Sequence, residues 1–181
     1  MCRDPHDWVH RIPQLVALLV ETAPQLRSFH LEYPDTFLPY GVNVTTRRAF
    51  TSVLPEQVGC FRQLTNLSVK FGLFTVTTAQ VDAMLQKLPL LQHLQLLQHL
   101  SQSFDIPASI ASSCRQLRSL DIHGLTGDVP HELWGLTDLT RLSLGCNKVS
   151  ASASISSLVS LQELKIIVRS GPGLYEGVSL C

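Results

Sequence analysis

The sequence predicts an α/β architecture of stacked coils, with parallel strands on one side and short helices or 3-10 turns on the other. The first reason is a pattern, L-x-x-Φ-x-Φ with Φ apolar, that occurs six times. Its copies are Leu26-Phe29-Leu31, Leu64-Leu67-Val69, Leu91-Leu94-Leu96, Leu117-Leu120-Ile122, Leu139-Leu142-Leu144 and Leu161-Leu164-Ile166. The second is spacing: the copies start 38, 27, 26, 22 and 22 residues apart, close to the period of about 20–29 residues at which one strand and one return segment make a coil. The third is that apolar residues recur upstream of each starting leucine, near positions −3, −6 and −10. They are Ala23, Val20 and Val16; Phe61, Val58 and Leu54; Leu88, Leu85 and Val81; Leu136, Leu133 and Val129; and Leu158, Ile155 and Ala151. The fourth copy slips by one residue, with Cys114, Ile110 and Ile106.

One such coil cannot fold alone. It offers roughly six inward side chains worth about 1.5–3 kcal/mol each, against about 1–2 kcal/mol of backbone entropy for each of some 22 residues. Stacking buries both sides of a coil and lets strand hydrogen bonds run between copies, so the array is stable where the unit is not.

Taken in order, residues 1–25 begin with Asp4-Pro5 and carry apolar Trp8, Ile12, Leu15 and Leu19. They read as a helix that caps the first coil, and Pro13 is expected to kink or divide it. Residues 26–169 form the array of about six strands, each Φ-x-Φ having the alternation of a strand. Near 33–53 the first copy carries about 14 residues more than a 24-residue coil needs. That insertion contains Tyr33, Phe37, Tyr40, Arg47, Arg48 and Phe50. Val81 to Leu88 has helical spacing with Thr77 and Thr78 available as caps. Pro55, Pro107 and Pro130 stand near the start of their arcs, where proline suits a first turn, so these arcs are expected to be short helices or 3-10 turns. Residues 170–181 read as a tail too short to cap the array well, as in a fragment of a longer receptor or adaptor.

Composition narrows the function. Of 181 residues, 45 % are hydrophobic, which places the chain among globular proteins. Net charge is +0 and no basic run exceeds Arg47-Arg48, whereas a nucleic-acid surface needs several phosphate-neutralising cations on one face. The longest nearly apolar stretch, Ile12 to Val20, is far short of the roughly 20 residues that span a bilayer, and Asp4 and Asp7 spoil the basic start of a signal peptide. Cys2, Cys60, Cys114, Cys146 and Cys181 are odd in number and widely spaced. They give neither zinc-ligand spacing nor a disulfide cap, and a reducing cytoplasmic setting follows as the expectation. The sequons Asn43-Val44-Thr45 and Asn66-Leu67-Ser68 point the other way, to an extracellular protein.

With these residues in place, the chain resembles the leucine-rich repeat family over roughly residues 14–168. Leu125-Thr126-Gly127-Asp128-Val129-Pro130-His131-Glu132-Leu133 is similar to the L-T-G-x-I-P-x-x-L segment of plant-type repeats. Leu54-Pro55-Glu56-Gln57-Val58 and Ile106-Pro107-Ala108-Ser109-Ile110 repeat it more weakly. Gly145-Cys146-Asn147 matches the family's asparagine turn, with His99 and Leu125 at the equivalent places elsewhere. The resemblance implies a curved solenoid, strands lining its concave face, that binds another protein without catalysis, in signalling or defence. Alternatives are the substrate-reading part of an F-box-type ubiquitin-ligase adaptor and an extracellular receptor fragment. No F-box pattern, P-loop or kinase signature occurs in the chain.

Side chains between the lattice leucines point away from the core and align into three columns. The first is Ser28, Asn66, His93, Ser119, Arg141 and Glu163. The middle is His30, Ser68, Gln95, Asp121, Ser143 and Lys165. The third is Glu32, Lys70, Leu97, His123, Gly145 and Ile167. Candidate partner-binding residues on this face are His93, Gln95, Asp121, His123, Arg141 and Lys165, joined by Tyr40 and Arg47 of the insertion. Seven histidines invite an enzymatic reading, but no H-E-x-x-H, G-x-S-x-G or glycine-rich phosphate loop is present. Cys114 falls on a core position that predicts inertness. No catalytic residue, cofactor or metal is assigned, and the expected partner is a protein.

Overall fold

A computed structural model describes residues 7–32, 55–72, 76–98, 105–124, 129–146, 155–169 and 175–180. Strands β1 (Ser28–Glu32), β2 (Asn66–Gly72), β3 (His93–Gln98), β4 (Ser119–His123), β5 (Arg141–Cys146), β6 (Glu163–Arg169) and β7 (Tyr175–Leu180) form one sheet in chain order. The first six run parallel. Parallel neighbours need a crossover, and the return segments supply it. Residues 55–58 make a helical turn before β2. Helix α2 (Thr78–Leu85) precedes β3, the short helix α3 (Ile110–Ser113) precedes β4, and 3-10 turns η1 (His131–Gly135) and η2 (Ile155–Ser157) precede β5 and β6.

The prolines and threonines act as their positions suggest. Pro130 is extended (φ −65°, ψ 143°) immediately before η1. Thr77 closes α2 with a capping box, its hydroxyl accepting from the Gln80 N–H while Gln80 Oε1 accepts from the Thr77 N–H. Helix α1 (Asp7–Thr22) is not divided at Pro13, through which it continues. The imino acid withdraws one donor from the helix, while Val16 on the same helix is buried and Ile12, Leu19 and Val20 pack against the core; that apolar anchorage holds the segment in one piece.

Every coil closes with the same hydrogen bonds, which explains why the leucine lattice keeps its period. The N–H of each starting leucine donates three residues back: Leu26 to Ala23, Leu64 to Phe61, Leu91 to Leu88, Leu117 to Cys114, Leu139 to Leu136 and Leu161 to Leu158. Just beyond, two successive N–H groups converge on one carbonyl of the preceding coil. Thr65 and Asn66 share the Arg27 carbonyl, and Gln162 and Glu163 share that of Thr140. The hydroxyls of Thr65 and Thr140 add a third bond to the carbonyls of Arg27 and Arg118. One step earlier, Phe61, Leu88, Leu136 and Leu158 also donate three residues back, but Cys114 donates four back to Ile110. The slip in the fourth copy is thus absorbed as one α-helical turn.

A single apolar interior runs from Val16 to Leu158. In the middle coils the triplets Leu91-Leu94-Leu96, Leu117-Leu120-Ile122 and Leu139-Leu142-Leu144 are all buried. At the ends Leu26, Leu31, Leu161, Leu164 and Ile166 are only partly so. Phe29 and Phe61 stack with ring centres 5.8 Å apart and seal the junction of the first two coils. On the outer side Ser109 Oγ donates to Asp82 and Ser157 Oγ to the Trp134 carbonyl, tying adjacent arcs together.

The end of the chain differs from the expected tail. Tyr175–Leu180 returns antiparallel along β6, in register from Arg169–Tyr175 to Leu164–Leu180. The backbone of β6 is thereby paired on both sides. No helix among the described residues is long and apolar enough to cross a membrane. The insertion expected near 33–53 lies outside the described residues, as do Asn43, His99 and Asn147.

Candidate functional site

The parallel register makes the three columns real rows of side chains. Ser28, Asn66, His93, Ser119, Arg141 and Glu163 are successive partners, as are His30, Ser68, Gln95, Asp121, Ser143 and Lys165. Neighbouring strands are about 4.8 Å apart, so each row places polar groups within reach of the next. Glu32, Lys70, Leu97, His123, Gly145 and Ile167 form the third row.

The middle row is a chain of hydrogen bonds. Ser68 Oγ donates to Gln95 Oε1 (2.7 Å), and Gln95 Nε2 donates to Asp121 Oδ2 (2.8 Å). The other carboxylate oxygen, Oδ1, is shut off from solvent and lies 2.8 Å from His123 Nε2. The same ring nitrogen is 3.1 Å from Ser143 Oγ, so Nε2 faces both the carboxylate and the hydroxyl. Burial pushes the Asp121 carboxyl upward. Hydrogen bonds from His123 and Gln95, attraction to the His123 ring and the Ser143 hydroxyl together outweigh it and hold Asp121 below the usual carboxylate range.

Asp121, His123 and Ser143 are the residue types of a hydrolytic triad, but the connection is wrong for relay. In a triad the imidazole meets the acid through one nitrogen and the nucleophile through the other. Here both contacts use Nε2. Nδ1 lies over Gly145, where an added Cβ would sit 2.6 Å from it. As placed, the ring meets the serine and the carboxylate through one nitrogen, unlike the two-nitrogen arrangement of a triad.

Two further pairs of charges meet across strands: Lys70 Nζ with Glu32 Oε1 at 3.4 Å, and Arg141 Nε with Glu163 Oε2 at 3.3 Å. Both pairs are open to solvent, which limits each to well under 1 kcal/mol. An open hollow of about 320 Å³ lies over β1 to β4, lined by Ser28, His30, Asn66, Ser68, His93, Gln95, Ser119 and Asp121 above the lattice residues Phe29, Leu67 and Leu94.

Of the candidate residues, Gln95, Asp121 and His123 are drawn into one network. His93 lines the hollow, Arg141 is engaged with Glu163, and Lys165 is exposed on β6. Tyr40 and Arg47 lie outside the described residues. Ser68 and Ser143, absent from the candidate set, belong to the network. Their signal was their place in the middle row beside Gln95 and Asp121. Cys114 is fully buried, its thiol 3.8 and 3.9 Å from the Leu85 and Leu88 carbonyls, and burial pushes that thiol up to about 12. Among the described residues, no three His, Cys, Asp or Glu side chains are grouped so as to hold a metal ion.

No family model, curated protein or solved structure matches the chain.

Proposed function

We propose that this chain is a leucine-rich repeat solenoid acting as a non-catalytic protein-recognition module, of the kind used in signalling or defence, whose partner lies against the polar face of β1 to β6. The observation that carries this reading is the in-register polar surface itself. Three rows of side chains cross six strands, an internal hydrogen-bond chain orders the middle row, and an open hollow lies over its first four strands. A surface whose groups are held in place before contact loses less conformational entropy on binding than one of free side chains. The leucine lattice and the repeated closing bonds support the family reading; the wrong wiring of His123 supports the absence of catalysis.

The test compares three baits in quantitative affinity purification: the wild-type chain, Asp121→Ala combined with Arg141→Ala, and Arg115→Ala, an exposed position off the polar face. A genuine partner is retained by wild type and Arg115→Ala and falls at least about fivefold with the double variant, a loss of roughly 1 kcal/mol. Undiminished capture by the double variant removes the polar face as the binding surface. Turnover of ester, peptide or phosphate substrates that disappears with Ser143→Ala would replace the reading with an enzymatic one.

A further inference from the structure

The charges on the polar face are unevenly compensated. Glu32 is met by Lys70, and Glu163 by Arg141. The hollow over β1 to β4 is different: its lining holds one carboxylate, Asp121, and no lysine or arginine. That carboxylate is immobilised, one oxygen accepting from Gln95 and the other facing His123, yet its side chain keeps 29 % of its exposure. The Ser68 and Gln95 donors both point toward it, so the row is polarised to favour negative charge at that spot. Beside it, Asn66, His93 and Ser119 stand on adjacent strands of the first row, their backbone N–H groups already bonded to the preceding coil, and none of their side chains has a hydrogen-bond or ionic partner among the described residues.

We infer that this hollow receives a lysine or arginine side chain from an extended segment of a protein partner, with Asp121 as its counter-ion and Asn66, His93 and Ser119 as partners for the segment's backbone. The inference rests on the recognition reading above and specifies the ligand of that face. Size agrees: about 320 Å³ is at the small end of ligand pockets and admits one long side chain with its flanking backbone. Chemistry agrees as well. An acidic side chain meets repulsion from Asp121 with no cation in the lining to offset it, and a purely apolar group leaves the row of amide, imidazole and hydroxyl groups unpaired. A guanidinium or ammonium can instead add charge-assisted bonds to a carboxylate already oriented for them.

The probes are three blocked peptides, Ac-Gly-Ser-Arg-Ser-Gly-NH2 and its versions with citrulline or glutamate in place of arginine. They are titrated into the full ¹⁵N-labelled chain while the side-chain amide signals of Asn66 and Gln95 are followed. The arginine peptide is expected to move both signals saturably, at least tenfold more tightly than the citrulline peptide, with the glutamate peptide weaker still. Raising salt from about 0.05 to 0.5 M should weaken it several-fold, a readout on the wild-type chain that needs no variant. Asp121→Asn, which keeps the shape of the group, should remove the arginine preference. Equal effects of the arginine and citrulline peptides, or an arginine preference that survives Asp121→Asn, overturn the cation assignment while leaving the face a recognition surface. No saturable shift of Asn66 or Gln95 with any peptide overturns the peptide site, and the three-bait comparison still judges the broader reading independently.

Discussion

Replacing Gly124 with alanine should destabilise the chain by about 1–4.5 kcal/mol through a contact that the repeat pattern does not reveal. Gly124 follows β4 with φ at +93° and is the one non-negative φ among the described residues. An added Cβ would lie 2.7 Å from Gln98 Cβ, 2.8 Å from the Gln98 carbonyl oxygen and 3.3 Å from its carbonyl carbon. Carbon atoms at rest sit about 3.5–4.0 Å apart, and two of the three obstacles are backbone atoms of a buried residue at the end of β3. Forcing an alanine into a left-handed conformation costs about 1–2 kcal/mol, and overpacking a tight interior costs a further 1–3 kcal/mol or so. The lower entropy of the unfolded alanine chain returns about 0.4–1 kcal/mol. For a chain of this length each kcal/mol lowers the melting temperature by about 2–4 °C. Urea unfolding followed by far-UV circular dichroism measures the difference, with Gly135→Ala as the control. At Gly135 the nearest atom to an added Cβ is Ala111 Cβ at 3.9 Å, so stability there should change by no more than about 1 kcal/mol, toward greater stability. A Gly124→Ala chain as stable as wild type within about 0.5 kcal/mol would refute both the close approach and the strained backbone.

Two further outcomes are expected, one of pH and one of thiol reactivity. Because the fold lowers the Asp121 carboxyl, its stabilising contribution is complete above the ordinary carboxylate value of about 3.9 and disappears as pH falls through the lowered folded value. Wild type should therefore lose more stability between about pH 5 and 2 than Asp121→Asn, as urea midpoints across that range will measure; parallel pH profiles would contradict it. At pH 8 a disulfide thiol reagent should label exposed Cys60 in the native chain and leave buried Cys114 and Cys146 untouched until denaturant is added, and peptide mass mapping that finds native Cys114 modified would count against its burial.

The coils were legible in the sequence because the lattice repeats one physical requirement. The leucine that starts each copy turns the chain with an N–H donated three residues back, so strands begin at equivalent points and the columns between the leucines fall into register. That is why Gln95 and Asp121 could be placed side by side from spacing alone. The expected helix after Thr77 was legible for a similar reason, since its cap is a local interaction between Thr77 and Gln80. The division that Pro13 suggested does not occur, because a local rule about proline carries no information on the apolar side chains that anchor α1 to the core.

What the sequence by itself determined is the inward-facing lattice, the parallel order of β1 to β6 and the identity of the residues in each row, because these depend on periodicity, which is local and repeated. Tertiary structure alone decided the rest. It set the antiparallel return of β7, the approach of Gly124 to Gln98, and the meeting of Asp121, His123 and Ser143 at one ring nitrogen. Each of these turns on ångström distances between side chains or strands brought together by packing, and a distance of that kind is not encoded by the periodicity of a single repeat.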